Sequence, residues 1–466
     1  MILTGLAVGV VFGAVLQRGR FCVTGMMRDI FLNRTWRGMV ALLILISVHS
    51  IGLTALVQLG VLSPGVDEFA PIGVILGGFI FGLGIILAGG CASGTWYRSA
   101  EGLVGSWIAL LFYGLSAAAM KYGFLHSLNS SAKKWTLPVT TIPEALGISP
   151  WVFVALTVAG TFALWRHYAI KDAHTPSYAL DAPWYQRPLS ANVAGALIGV
   201  IGTVAFVLSA ASGRNSGLGI TTPSADIINF TATGDPDRVN WGTLLVIGLL
   251  LGAYLAAKAT GEFRIRVPDA STAVRAIFGG SFMGVGAALA GGCTVGNGMV
   301  ETSLFSFQGW VSLVFMTLGV GVGAKLWLRK QPVAVEQIDT VSSSDAIPGL
   351  SIPQVTGLVG VTTKKPSQPV QMDTTQVDAP AGGRVFKLDT LGAVCPFPLI
   401  EAKQAIAILE PGDSLVIDFD CTQATDSIPT WAADEGHVIS DFQRVGDAGW
   451  QVTVVKNPSE LKAVLV

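Results

Sequence analysis

The sequence predicts a polytopic α-helical membrane protein of about nine spans, followed by a small two-layer α/β sandwich of order βαβαββ. Three observations predict it. Of the 466 residues, 51% are hydrophobic and only 13% charged, with a mean hydropathy of +0.59, whereas soluble domains carry about 25% charged residues. Apolar runs of near span length recur along the first 330 residues. A glycine-rich stretch of eighteen residues occurs twice in related form, 202 positions apart.

The apolar runs fall at 2–16, 39–60, 71–90, 101–121, 150–166, 191–211, 241–257, 273–292 and 309–328. A helix needs about 20 such residues to cross the hydrocarbon core. The first run lacks a basic flank and a clear cleavage site, so it reads as a span and not as a removed signal. The 56 glycines suit close helix approach within a bilayer. On the side reached after the first span lie fourteen basic residues, among them Arg18, Arg20, Arg28, Arg37, Arg98, Arg266 and Lys330. The other side has five: Lys121, Lys133, Lys134, Arg214 and Arg238. The positive-inside bias makes the richer side cytoplasmic. The expected location is a bacterial inner membrane, with the N-terminus outside and the C-terminal domain in the cytoplasm.

Net charge is −1, so no basic footprint points to nucleic acid. No G-x-x-x-x-G-K-[ST] loop is present, which argues against direct ATP drive. The five cysteines (Cys22, Cys91, Cys293, Cys395 and Cys421) form no C-x-x-C pair. The five histidines are scattered, without metal-ligand spacing. Neither a disulfide scaffold, a metal nor a cofactor is expected.

Residues 77–94 and 279–296 match at ten of eighteen positions, including Leu87-Ala88-Gly89-Gly90-Cys91 against Leu289-Ala290-Gly291-Gly292-Cys293. A shorter match sets 5–11 beside 195–201. The matched spans are five apart in order, so the second half enters the membrane inverted. The expected halves are about 1–121 and 191–328. Inverted repeats place a transport site near the midplane, where they meet. Gly90 and Gly292 are the expected helix breaks, tolerated at membrane depth only where they line a cavity. Cys91, Cys293 and Cys22 then supply soft, weak S–H donors along a path, and Thr24 a hydroxyl. Weak repeated sites favour passage, because a tight one traps an ion. The counterpart of Cys22, near 219–222, has no cysteine, so the path holds three thiols. Plain packing as small apolar residues is the competing reading for each. Arg18, Arg20 and Arg98 guide an anion or anchor the positive side. His49 is functional or a satisfied interior histidine.

Residues 331–383 are rich in Ser, Thr, Pro and Val without periodicity and read as a flexible linker. In 384–466, strands are expected at 384–388, 414–419, 438–444 and 450–455, and helices at 396–409 and 427–435. Cys395 precedes Pro396-Phe397-Pro398, which suits a first helical turn. A thiol there is turned toward thiolate by the helix dipole. Cys421 is structural or a resolving thiol.

The motifs Arg20-Phe21-Cys22-Val23-Thr24-Gly25, Leu87 to Gly94 and Leu289 to Gly296 resemble the YeeE/YedE family of sulfur-compound transporters over 1–330. Leu388-Asp389-Thr390-Leu391-Gly392, Cys395-Pro396-Phe397-Pro398, Pro411-Gly412-Asp413 and Asp426-Ser427-Ile428-Pro429 resemble the TusA/SirA sulfur carriers over nearly all of 384–466. The resemblance implies thiosulfate uptake and a persulfide on Cys395. The implied partners are thiosulfate, the lipid bilayer and cytoplasmic sulfur-relay proteins. Transport is the expected primary activity, and whether the C-terminal domain also cleaves thiosulfate is open. The alternatives are a membrane thiol-redox enzyme and a transporter of another sulfur or selenium compound.

Overall fold

Glycines set how closely the membrane helices approach. In the computed structural model, which describes residues 1–173, 186–328, 336–338, 384–393, 397–446 and 449–457, the chain opens with α1 (Leu3–Arg18), α2 (Val23–Leu32) and α3 (Arg37–Gln58). It continues with α4 (Pro71–Leu87), α5 (Ala92–Ala100) and α6 (Val104–Lys121). Two short helices, α7 (His126–Lys133) and α8 (Ile142–Leu146), lead into α9 (Pro150–Ala173). The second half runs α10 (Ala191–Ala211), α11 (Thr221–Thr233), α12 (Trp241–Thr260) and α13 (Ala270–Leu289). A π-helical turn, Gly296–Glu301, precedes α14 (Phe307–Trp327). Among the described residues, nine segments are long and apolar enough to cross a membrane. The chain is a multi-pass membrane protein.

The glycine contacts are reciprocal. A Cβ on Gly77 would lie 2.4 Å from Ala290 N, and one on Gly279 would lie 2.3 Å from Ala88 N. A Cβ on Gly84 would meet Met283 N at 2.6 Å, and one on Gly286 would meet Phe81 N at 2.4 Å. So α4 and α13, which carry the two matched stretches, cross antiparallel with corresponding glycines in corresponding contacts. The same exchange links α1 to α12 through Gly9 and Gly248, and α10 to α3 through Gly195 and Gly199. Backbone-to-backbone contact of this kind replaces the hydrophobic drive that lipid tails cannot supply.

The C-terminal domain starts with a feature that the sequence reading did not assign. Glu336–Ile338, within the segment expected to be linker only, forms strand β1. It pairs antiparallel with β2 (Val385–Asp389). The lack of a periodic pattern hid it, since three residues are too few to show one. Then follow α15 (Phe397–Ile408), β3 (Ser414–Phe419), α16 (Ala424–Asp434), β4 (Val438–Val445) and β5 (Gly449–Val455). The sheet order is β1-β2-β3-β5-β4, with β2 and β3 parallel and the other pairs antiparallel. Leu399, Ala402 and Ile406 of α15 and Ile428 and Trp431 of α16 pack on Leu415, Ile417, Val452 and Val454 of the sheet. Two helices on one sheet make the expected two layers.

This domain sits on one end of the helical bundle. Arg266 pairs with Asp420 at 3.2 Å, with both side chains buried. Arg37 and Lys171 both reach Asp434, at 3.3 and 3.4 Å. Lys403 Nζ donates to Asn33 Oδ1 at 2.9 Å, and Arg20 lies over the Trp450 ring at 5.9 Å. Every bundle residue in these contacts belongs to the end that sequence analysis found richer in basic residues.

Candidate transport path and exit

Both Leu-Ala-Gly-Gly-Cys segments break their helices. α4 stops at Leu87 and α13 at Leu289. The next glycines, Gly89 and Gly291, take left-handed φ of 71° and 80°, which a side chain would strain. The chain re-enters helix at once. Cys91 is the N-cap of α5, and its sulfur accepts from Gly94 N–H at 3.4 Å. The carbonyls freed by the two breaks are met differently. Arg98 Nη1 donates to Gly89 O. Asn297 Nδ2 donates to Ala290 O at 2.8 Å and to Gly292 O at 3.2 Å, while its own Oδ1 accepts from Gln308 at 3.0 Å. A buried broken helix needs such partners. Gly90 and Gly292 face these side chains: a Cβ would lie 3.3 Å from Arg98 Nη1 and 2.8 Å from Asn297 Oδ1.

Cys22, Cys91 and Cys293 are buried free thiols. Cys22 and Cys91, far apart in sequence, meet through a side-chain hydrogen bond. A Cβ on Gly94 would lie 3.2 Å from one sulfur and 3.4 Å from the other, so only glycine leaves room for both. Cys293 lines a cavity of about 190 Å³ at the end opposite the C-terminal domain, with Arg214, Thr221, Thr222, Asp67 and Glu301. Lys121 Nζ donates to Thr222 Oγ1 at 2.7 Å at this mouth. Between the two thiol sites stands Tyr113, fully buried. It donates to Thr221 Oγ1 at 2.8 Å and also hydrogen-bonds the Cys293 side chain.

Two hydroxyls stand out beside these thiols. Thr24 Oγ1 and Thr294 Oγ1 are buried and, among the described residues, find no hydrogen-bond partner. Thr294 directly follows Cys293, and Thr24 lies two positions after Cys22. An unmet buried hydroxyl costs about 1–3 kcal/mol, which a passing ligand would relieve.

At the domain-facing end the side chains are charged and enclosed. Arg98 is only 4% exposed, so it is no headgroup anchor. Gln17 Nε2 donates to Glu101 Oε1 at 3.1 Å and to Glu262 Oε2 at 2.5 Å. Glu262 also pairs with Arg20 at 3.1 Å. Burial, then the nearby Glu262, push the Glu101 carboxyl up to about 7, against Arg266 and Arg98. The folded chain thus holds a proton there that the unfolded chain releases near pH 4.5. Stability from this group is present at low pH and is lost as pH rises through 7. Glu101→Gln should therefore raise the melting temperature in detergent at pH 8, with the gain shrinking toward pH 5. An equal shift at both pH values would contradict this.

Cys395 lies outside the described residues. α15 begins two positions after it, at Phe397, and Gly392 N–H, three positions before it, donates to Asp420 Oδ1 at 2.9 Å. Cys421 and Arg98 both line a cavity of about 20 Å³ where the domain meets the bundle. His49 is buried against Gly202 of α10. Asn297 and Tyr113 were not singled out by sequence reasoning, and Arg98 was read only as one of three arginines that guide an anion or anchor the positive side. The spacing of Arg98 from Cys91, two turns on along one short helix, was the available signal.

The family model described as sulphur transport matches residues 18–322, and the one described as sulfurtransferase TusA matches 386–456. The thiosulfate transporter TsuA of Escherichia coli (strain K12) is 44% identical over 338 residues, covering 70% of this chain and 94% of the relative. The thiosulfate transporter TsuA of Spirochaeta thermophila is 35% identical over 344 residues, 71% of this chain and all of the relative. The putative sulfur carrier protein TsuB of Escherichia coli (strain K12) is 64% identical over 72 residues, 16% of this chain and 96% of the relative.

Proposed function

We propose that this chain, which belongs to the sulphur-transport family and carries a C-terminal TusA domain, takes up thiosulfate and hands it to that domain. The observation that carries the proposal is the line of buried free thiols between a polar vestibule and the docked domain: Cys293, then Cys91 with Cys22. Two relatives that span most of the chain are named thiosulfate transporters.

Thiosulfate is a dianion with three oxygens and one soft terminal sulfur. Lys121 and Arg214 draw it into the vestibule, where Thr221 and Thr222 offer hydroxyls. The Cys293 thiol takes the terminal sulfur by a weak S–H contact, and Cys91 with Cys22 takes it next. Thr24 and the Gly94 N–H lie beside the second site, and Gly90 and Gly292 keep the breaks open. No thiol contact is strong, so no thiol holds the ion. The reciprocal glycine contacts support an inverted-repeat arrangement of 1–121 and 191–328, with the thiols near its centre. The excess of basic residues at the domain end supports a cytoplasmic C-terminal domain and an N-terminus outside a bacterial inner membrane.

In the domain, the Cys395 thiolate attacks the terminal sulfur. An S–S bond forms, the S–SO₃ bond breaks, and sulfite leaves with the electron pair. The product is a Cys395 persulfide, ready for a sulfur-relay protein. Full-length protein exposed to thiosulfate should gain one sulfur on Cys395 by mass spectrometry. Cys395→Ser should abolish the adduct, and Cys421→Ser should largely keep it. No adduct on the wild-type chain would leave the domain a docking module.

A thiol-redox enzyme is the competing reading, favoured only by the closeness of Cys22 to Cys91. It requires disulfide formation that responds to a quinone-site inhibitor, without thiosulfate uptake.

A further inference from the structure

Gln423 opens α16, yet its side chain makes no cap bond to its own helix. The amide reaches into the bundle instead. Gln423 Nε2 donates to Tyr97 Oη at 3.0 Å and lies 3.5 Å from the Arg20 carbonyl oxygen. Arg98 Nη2 donates to Gln423 Oε1. Tyr97 and Arg98 are both buried, on the helix that starts at Cys91, and Arg20 is two residues before Cys22. One side chain of the C-terminal domain thus sits at the head of the paired thiols, held by the residues that flank them. Arg98 is also the guanidinium whose charge acts directly on Cys22.

A carboxamide is a neutral partner for these groups. It accepts from Arg98 and donates to Tyr97, whose own O–H proton stays available. An anion oxygen would accept from both. A guanidinium attracts an anion by full opposite charge as well as by hydrogen bonding, whereas an amide oxygen offers it only a dipole. An arriving dianion therefore outcompetes the amide. The amide, tethered to a docked domain, competes at an effective concentration on the order of millimolar, so the anion is not held for long.

We propose that Arg98 and Tyr97 form an exit subsite for the thiosulfate dianion and that Gln423 is its built-in competitor, which occupies their donors and closes the path when the subsite is empty. This rests on the transport reading above. Gln423 touches no path cysteine in the role proposed; it acts by occupying the donors that the anion needs.

The test is initial uptake of labelled thiosulfate by proteoliposomes of the full chain, measured across substrate concentrations for wild type, Gln423→Ala and Gln423→Glu. Removing the competitor should lower the half-saturating concentration about threefold. A glutamate, which binds Arg98 with charge, should raise it about tenfold, equivalent to about 1.4 kcal/mol. Maximal rates should stay within about twofold of wild type, because saturating anion overcomes a competitor. The opposite signs are the signature. Half-saturation unchanged in both variants, or shifted the same way in both, overturns the proposal and leaves Gln423 a docking contact. A loss of maximal rate alone does the same. A wild-type chain that takes up no thiosulfate fails in a different arm and removes the transport reading, with the exit subsite along with it.

Discussion

Cys293→Ala and Cys91→Ala should each cut thiosulfate uptake about 100-fold, or about 2.7 kcal/mol of lost transition-state stabilisation. Both are buried free thiols held only by weak sulfur hydrogen bonds. Each stands at a helix break whose backbone is already satisfied, by Asn297 at one and by Arg98 at the other. Truncating the sulfur therefore keeps the breaks satisfied, and it removes the group proposed to meet the ion together with the weak contact to Gly94 N–H at Cys91 and to Tyr113 at Cys293. The stability cost of losing one small sulfur is about 1 kcal/mol, so the variants should still fold and elute as wild type. Serine variants should fall between, since a hydroxyl keeps a donor but loses the soft, polarizable surface. Cys22→Ala should cost less than Cys91→Ala, because Cys91 remains to bridge the same position over Gly94. Uptake at wild-type rate in either Cys91→Ala or Cys293→Ala would reduce that thiol to packing.

The largest structural effect is expected at Gly252. A Cβ there would lie 1.9 Å from Val10 O and 2.6 Å from Val10 C. The neighbour is helix backbone, so nothing can rotate away, and α12 must part from α1. The same helix pair is in contact at Gly5, Gly9 and Gly13, each with an α12 carbonyl about as near. Separation would open the whole seam. Gly252→Val should abolish folded protein in the membrane, beyond the about 4–5 kcal/mol that marks exceptional single substitutions. Gly160, on α9, is the control: nothing lies within 4 Å of its Cβ position. Gly160→Ala should express and melt as wild type. A monodisperse, wild-type-like Gly252→Val protein would show that α1 and α12 do not pack this closely.

The nine spans and the order of the C-terminal elements were legible because each carries its pattern locally. An apolar run announces a membrane helix, and period-two or helical spacing announces each strand or helix of the small domain. α16 begins at Ala424, ahead of the expected 427, and continues through Pro429. The early start was hidden because the N-cap position is Gln423, which is not a capping residue type. What stayed out of reach depends on contacts between distant segments. Nothing near Cys22 says that it meets Cys91. Asn297 reads as a polar residue after a glycine until its amide is seen closing two carbonyls. Arg98 carries the charge of a surface anchor, yet burial against Gly89 and Gln423 gives it another environment. Gln423 looks like an ordinary polar residue, and only the docked position of the domain shows where its amide goes.

The central claim is that thiosulfate reaches the C-terminal domain through the thiol path. Its most direct test uses thiosulfate labelled in the terminal sulfur, supplied only on the side of the vesicle opposite the domain. Label on Cys395 is then read by mass spectrometry, in wild type and in Cys293→Ala. The account predicts labelled Cys395 in intact wild-type vesicles and almost none in Cys293→Ala vesicles. After detergent opens the vesicles, both proteins should label equally. Equal labelling in intact vesicles of both proteins would contradict the account, because the sulfur would then reach the domain without passing Cys293.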